Sequence, residues 1–314
     1  MFNLRFKCTV ISSWHMVLHA VPKANKMIAN KNRYSETERF VYAKWIINYM
    51  RKHARTRTRV YGRENIPTDS NYIMYPNHQG KYDALGIILA QEKPCGVLWG
   101  KKQAERLMSR QVCGLIDAVV IDLDNNRDKV RAIMDVTRQV KSGRNFLIFS
   151  EGGYTDNKNE LQEFQAGCFS CSLQTKTPIV PIALFDSYKS MNSNTFERVD
   201  TQVHFLKPIL YSEYGELKKK EVAKLVKSRL FGNNKKNAEY IVDVHCHIMP
   251  GIDDGSRDIT ETLKMLKIAQ SEGITHMIAT PHFKSGHRNA SPQNVKELIQ
   301  SVGKEAAAQG TDIK

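Results

Sequence analysis

Asn77-His78-Gln79-Gly80-Lys81-Tyr82-Asp83 is the stretch on which the reading of this chain turns. It follows an apolar, β-prone run, Tyr72-Ile73-Met74-Tyr75, closed by Pro76, and it leads into Ala84-Leu85-Gly86-Ile87-Ile88-Leu89-Ala90, an apolar run of helical length. The pattern predicts a histidine in the loop leaving a strand and an aspartate in the first turn of the next helix. In that geometry the carboxylate holds one imidazole nitrogen and leaves the other facing a substrate. An imidazole fixed in this way is a general base for deprotonating a hydroxyl near neutral pH. An isolated H-x4-D is more often two polar residues sharing a solvated loop, so the surroundings decide.

Outward from this loop the pattern alternates between strand, turn and helix. Residues 57–61 read as a strand, Ile66-Pro67 as a turn, and 95–99 and 118–121 as short apolar runs. Residues 127–142 read as a helix with Val130, Ile133, Thr137 and Val140 on one face and Gly143 placed for a C-terminal cap. Runs 146–149 and 179–185 supply further buried strands. Such alternation predicts a layered α/β domain with a largely parallel or mixed sheet, in which active sites gather at the carboxyl ends of strands. A second loop of that kind is Ser150-Glu151-Gly152-Gly153-Tyr154. Its glycines let backbone amides approach a phosphate or an oxyanion, and Glu151 can orient a donor there. Phe164-x-x-Gly167 opens another helix, and Val180-Pro181-Ile182-Ala183 sits on a core strand.

With 314 residues, 41% of them hydrophobic, the chain can bury one large core or two smaller ones. Its net charge of +15 is unevenly spread. Residues 1–63 hold 14 Lys and Arg against 2 Asp and Glu, whereas 239–314 hold 8 against 10. Aromatic rings interleaved with the basic residues favour an anionic membrane surface as the partner of the leading segment. Zinc-finger spacing, RNA-binding signatures and dense lysine runs are absent, so no nucleic acid is expected. Residues 8–22 are too short and polar to span a bilayer, which leaves a place in its interface. Ser35-x-x-Glu38 is a capping box that opens a helix. Phe40, Ala43, Ile47 and Met50 form its apolar stripe, able to pack on protein or lipid, and Arg39, Lys44, Arg51 and Lys52 form its other face. The six cysteines form no disulfide framework, which fits a reducing cytoplasm, and Cys168-x-x-Cys171 reads as two small packed side chains.

The ordered elements N-H-Q-G-K-Y-D, Lys101-Lys102, F-S-E-G-G-Y and V-P-I-A together resemble the glycerolipid acyltransferase family of 1-acylglycerol-3-phosphate acyltransferases, over about residues 57–209. The resemblance implies transfer of an acyl chain from acyl-CoA or acyl carrier protein to a hydroxyl of a glycerol phosphate or lysophospholipid acceptor, in phospholipid biosynthesis, with no cofactor. It implies His78 as base and Asp83 as its orienting partner. Asn77, Lys101, Glu151, Gly152 and Gly153 would line the substrate site, with Glu151 and Gly152 at the acceptor phosphate. Together with the basic leading segment and the free thiols, the expected location is peripheral, on the cytoplasmic face of a membrane. The chain departs from the family's F-P-E-G-T-R-S at Ser150, Gly153 and Tyr154, and it has Leu123 where the family often has an arginine. Two guanidinium contacts for a phosphate are thereby lost, with Lys81, Lys101 or Lys102 left as point charges.

A second signature follows a polar, glycine-containing run at 231–239 that reads as a linker. In Tyr240-Ile241-Val242-Asp243-Val244-His245-Cys246-His247 two histidines share one strand face and can address one ion. Met249-Pro250-Gly251-Ile252-Asp253-Asp254-Gly255, a helix bearing Leu263, Leu266 and Ile268, and Ala279-Thr280-Pro281-His282 come next. This segment resembles the start of a metal-dependent phosphatase of the polymerase and histidinol phosphatase (PHP) superfamily, in its capsule-regulating protein-tyrosine phosphatase branch. The resemblance implies His245, His247 and His282 as ligands of zinc or manganese, with Asp254 near them. A (β/α) barrel takes about 250 residues, so residues 240–314 are expected to form two β/α units and part of a third, inert as a phosphatase alone. The expected architecture is a basic amphipathic membrane-surface segment (1–56), a layered α/β acyltransferase-like domain (57–230), a linker (231–239) and an incomplete PHP-barrel fragment (240–314).

Overall fold

The computed structural model describes residues 4–195, 197–237, 241–271, 274–282, 291–311 and 313. The chain divides into two compact units, Met1–Asn234 and Lys235–Lys314.

In the first unit the described residues form a seven-stranded sheet of β1 (Thr56–Tyr61), β2 (Ile73–Pro76), β3 (Cys95–Gly100), β4 (Val119–Ile121), β5 (Asn145–Leu147), β6 (Ile179–Phe185) and β7 (Val199–Phe205), in the order β1-β7-β6-β2-β5-β3-β4. All neighbours are parallel except β6 and β7. Side-chain alternation divides β2 between two cores: Tyr72 and Met74 enter one, Ile73 and Tyr75 the other. Helices cover both faces, which makes three layers. The first core takes the helices Trp14–Ala29, Glu36–His53, Asp83–Ala90 and Ser109–Leu115, and the second takes Asn126–Lys141, Ser170–Thr175 and the start of Lys219–Asn237.

The leading segment is part of this body. Met16, Ala20, Ala24 and Met27, at helical spacing, are buried in the first core beside Phe40, Ala43, Ile46 and Ile47. Arg5 is itself buried and bonds to the carbonyls of Ala54, Thr195 and Glu197. The capping box forms as expected, with Ser35 Oγ accepting from Glu38 N at 3.2 Å and Glu38 Oε2 accepting from Ser35 N at 2.8 Å.

Several expectations are corrected. Arg39 does not share the exposed basic face: it is buried, bonds the Leu115 carbonyl at 2.9 Å and pairs with Asp117 at 2.7 Å. Val130 is exposed, because the buried stripe of its helix is Ala132, Val136, Thr137 and Val140. A small alanine marks that line of closest approach, and a search for large apolar side chains passes over it. Strand β7 escaped the sequence reading although its alternation is clear, with Val199, Thr201, Val203 and Phe205 buried. The stretch 231–239, read as a linker, is helical as far as Asn237.

The second unit holds two β/α repeats among its described residues: β8 (Ile241–Cys246), the helix Ile259–Ser271, β9 (Ile274–Ala279) and the helix Pro292–Ala308, with β8 and β9 parallel. Ile248, Met249, Leu263, Leu266, Val302 and Ala306 form its core. Ile268 is exposed, since it lies two residues from Leu266 and so on the far side of the helix.

Candidate active site

Strands β6, β2, β5 and β3 lie side by side and point the same way, so the loops at their carboxyl ends form one rim. His78 leaves β2, Glu151 follows β5, and Ser187 follows β6. Asp83, in the first turn of Asp83–Ala90, is completely buried. Its Oδ2 accepts from His78 Nδ1 at 2.7 Å, from Gly80 N at 2.8 Å and from Gln79 N. Its Oδ1 accepts from Ser187 Oγ at 2.5 Å. Because backbone N–H groups can only donate, Asp83 is the acceptor throughout. Nδ1 of His78 therefore carries a proton, and in the neutral ring the lone pair is on Nε2.

Glu151 links the two loops. Its Oε1 accepts from His78 N at 3.2 Å and its Oε2 from Gln162 Nε2 at 2.6 Å. Burial pushes its carboxyl above the ordinary carboxylate range, against the opposing hydrogen bond from Gln162. Gly152 turns the chain at φ +74°, which favours glycine, and Gly153 accepts from Gln162 at 2.9 Å. The His78 ring stacks on Phe149 with centroids 4.2 Å apart, and Tyr154 meets it edge-on at 4.8 Å.

Sequence-selected residues are not all placed alike. Asn77 is fully buried, and its amide bonds Leu184 N at 2.7 Å and Leu184 O at 3.1 Å, so it fastens the loop to β6 and does not face a substrate. Lys101 stands at the end of β3, separated from β2 by β5, with its ammonium 3.7 Å from Asp122. Lys102 pairs with Asp124 at 2.9 Å. Burial and then the charge of Arg106 hold the Lys81 ammonium below its usual range, which puts an arginine beside the His78 loop. Ser187, Gln79, Gln162 and Arg106 were not foreseen. The carboxyl-end rule points to Ser187, but nothing in the sequence points to Arg106. Burial raises the thiols of Cys168 to about 12 and Cys171 to about 11, which makes both poor nucleophiles.

In the second unit, one ligand atom each from His247, Asp254 and His282 falls within 4.8 Å of the others. His245 Nε2 approaches His247 Nε2 to 3.4 Å. His247, Asp254 and His282 can therefore address one ion, whereas His245 comes near His247 without joining that group. Asp253, missed in the sequence, accepts from His247 Nδ1 at 2.8 Å, His282 N at 2.9 Å and Gly255 N at 3.0 Å. Burial raises its carboxyl, but these donors outweigh burial and leave it below the usual range.

Comparison with known proteins follows the same division. The family described as Acyltransferase matches residues 57–185, and that described as Capsular polysaccharide synthesis, CpsB/CapC, matches residues 241–314. The 1-acyl-sn-glycerol-3-phosphate acyltransferase of Escherichia coli strain K12 is 28% identical over 163 residues, which cover 50% of this chain and 66% of that protein. The tyrosine-protein phosphatase YwqE of Bacillus subtilis strain 168 is 38% identical over 64 residues, which cover 20% of this chain and 25% of that protein. The chain thus spans about a quarter of the phosphatase and just under two thirds of the acyltransferase. The crystal structure of the 1-acyl-sn-glycerophosphate acyltransferase PlsC from Thermotoga maritima superposes with a TM-score of 0.56 at 16% identity, covering 74% of this chain and 98% of that one, a likeness of fold. One polypeptide therefore joins a stretch matched by the acyltransferase family to a stretch matched by the CpsB/CapC family.

Proposed function

We propose that the first unit is an O-acyltransferase that moves a fatty acyl chain from acyl-CoA or acyl carrier protein to a hydroxyl of a 1-acylglycerol-3-phosphate-like acceptor, in phospholipid synthesis. The carrying observation is the convergence of His78, Asp83 and the Glu151 loop, drawn from separate strand ends. His78 Nε2 takes the hydroxyl proton as the acceptor oxygen attacks the thioester carbon. The C–S bond then breaks, and the imidazolium returns the proton to the leaving thiolate. Loop amides at 152 and 153 are assigned to the oxyanion, and Lys81 with Arg106 to the acceptor phosphate, replacing the guanidinium that the E-G-G-Y loop lacks. The test supplies labelled acyl-CoA with lysophosphatidate and other lysophospholipids, with and without chelator. Chelator-insensitive transfer that is lost in His78→Ala supports the reading, and undiminished turnover in that variant removes His78 from the role.

No described helix is long and apolar enough to cross a membrane. Val10, Ile11, Trp14, Leu18, Val41 and Trp45 are nevertheless exposed on the leading helices, within the strongly basic segment. This supports peripheral attachment to an anionic membrane, for which the cytoplasmic face is the proposed side. Vesicle co-sedimentation should fall as salt rises; binding indifferent to salt and lipid charge would exclude an electrostatic anchor.

For the second unit the convergence of His247, His282 and Asp254, with His245 beside His247, supports a site for zinc or manganese. Once bound, such an ion polarises a phosphoryl oxygen. Asp253 bonds the His247 ring through Nδ1, which would leave Nε2 as the nitrogen free to hold such an ion.

A further inference from the structure

We propose that Tyr154 is a positioning residue that holds the His78 imidazole in its Asp83-bound orientation. The hydrogen bond at Nδ1 fixes one atom of the ring, but the ring can still swing about that bond or flip away from it. Two neighbouring rings limit this motion. Phe149 stacks on the imidazole, with planes 30° apart, and Tyr154 meets it edge-on at 69°. Phe149 belongs to the end of the β5 region, whereas Tyr154 lies beyond the Gly152 turn, where the left-handed backbone folds the chain back toward His78.

The Asn192 side chain neighbours the phenol, and Asn192 N donates to Tyr188 O at 3.2 Å at the end of the Tyr188–Met191 helix. The same side chain accepts from Lys81 N at 3.3 Å, and a methyl group added at Gly80 would stand only 3.1 Å from it. Asn192 thus joins the catalytic loop to the ring that flanks its histidine. Loop 78–81, Asn192 and Tyr154 close a circuit around the imidazole, and a smaller side chain at 154 opens it.

The catalytic consequence rests on His78 being the base, while the positioning itself does not. Both are tested with Tyr154→Ala, which removes the ring, and Tyr154→Phe, which keeps the ring and loses only the hydroxyl. In the full chain labelled with 15N-histidine, the His78 ring signals of Y154A should move from one fixed tautomer toward the averaged positions of a free imidazole, and Y154F should restore them. With acyl-CoA and lysophosphatidate, Y154A should lower kcat about 10- to 100-fold with KM within about twofold, and Y154F should recover most of it. Averaged signals in Y154A together with undiminished turnover in His78→Ala would leave the positioning standing and remove the base. Y154A signals identical to those of the wild type, whatever the turnover, overturn the proposal.

Discussion

The two units contain the same pair in different settings. His78 Nδ1 bonds Asp83 at 2.7 Å, and His247 Nδ1 bonds Asp253 at 2.8 Å. Both carboxylates are buried and also accept backbone N–H groups, and both rings are mostly covered. The difference lies beyond Nε2. Around His78 stand aromatic rings and a glycine turn, with no second imidazole among the described residues. At His247 another imidazole nitrogen is 3.4 Å away, and ligand atoms of His282 and Asp254 converge on it. A lone pair without a neighbouring metal donor can take a proton, and one beside other donors is set to share a cation. The orienting carboxylate is common to both chemistries, so it identifies neither.

The comparison breaks most easily at the two imidazoles. His78→Ala should lower acyl transfer by about 10²- to 10⁴-fold, the range of a general base, with the circular dichroism spectrum unchanged. Asp83→Asn should approach the same loss, because an amide can donate to Nδ1 and select the wrong tautomer. A variant that keeps its rate would make the first pair structural. In the second unit, Asp253→Asn should weaken zinc binding by about 10- to 100-fold in titration calorimetry, while leaving the ligand set intact. Undiminished affinity there would mean that His247 does not need its carboxylate. Chelation should leave acyl transfer untouched.

Much of this contrast was legible in the sequence, because local spacing encodes it. H-x4-D places its members on one strand-loop-helix turn, and H-x-H places two rings on one strand face. The alternation of apolar runs with helical stripes gave the layered α/β domain, and Ser35 with Glu38 gave a helix start to the residue. What stayed hidden depends on contacts between distant segments. Asn77 belongs to the motif by position, yet its amide is spent on Leu184, a partner more than 100 residues away that spacing cannot reveal. Arg39 reads as a surface cation until Asp117 is seen beside it. Ser187 carries no motif and acquires its role only because β6 lies next to β2.

Ser187 sharpens the comparison from the side of the carboxylate. Ser187→Ala removes the donor to Asp83 Oδ1 inside the protein, where no other donor bonds that oxygen among the described residues. A buried acceptor left without its partner costs about 1–3 kcal/mol. The variant should melt lower and lose roughly tenfold in kcat with little change in KM, as Asp83 gains freedom to turn. An unchanged melting temperature and rate would show that the two backbone donors and His78 hold Asp83 without help.

The smallest effect concerns Glu151, which touches the pair through the His78 backbone. Burial raises its carboxyl above the usual range, so the folded state favours the protonated form more than the unfolded chain does. The stability gained in this way is fully present below the unfolded carboxylate range. It is lost as pH rises through the higher folded value. Glu151→Gln cannot ionise, and its glutamine oxygen can still accept from His78 N. Its melting temperature should therefore track the wild type in acid and rise relative to it as pH climbs through the carboxylate range, with the difference levelling off above that range. A difference that instead widens toward acid would mean that the bonds from Gln162 and His78 outweigh burial. Glu151 would then hold the two loops together as an anion, and the first pair would rest on a charge that the second, at Asp253, also uses.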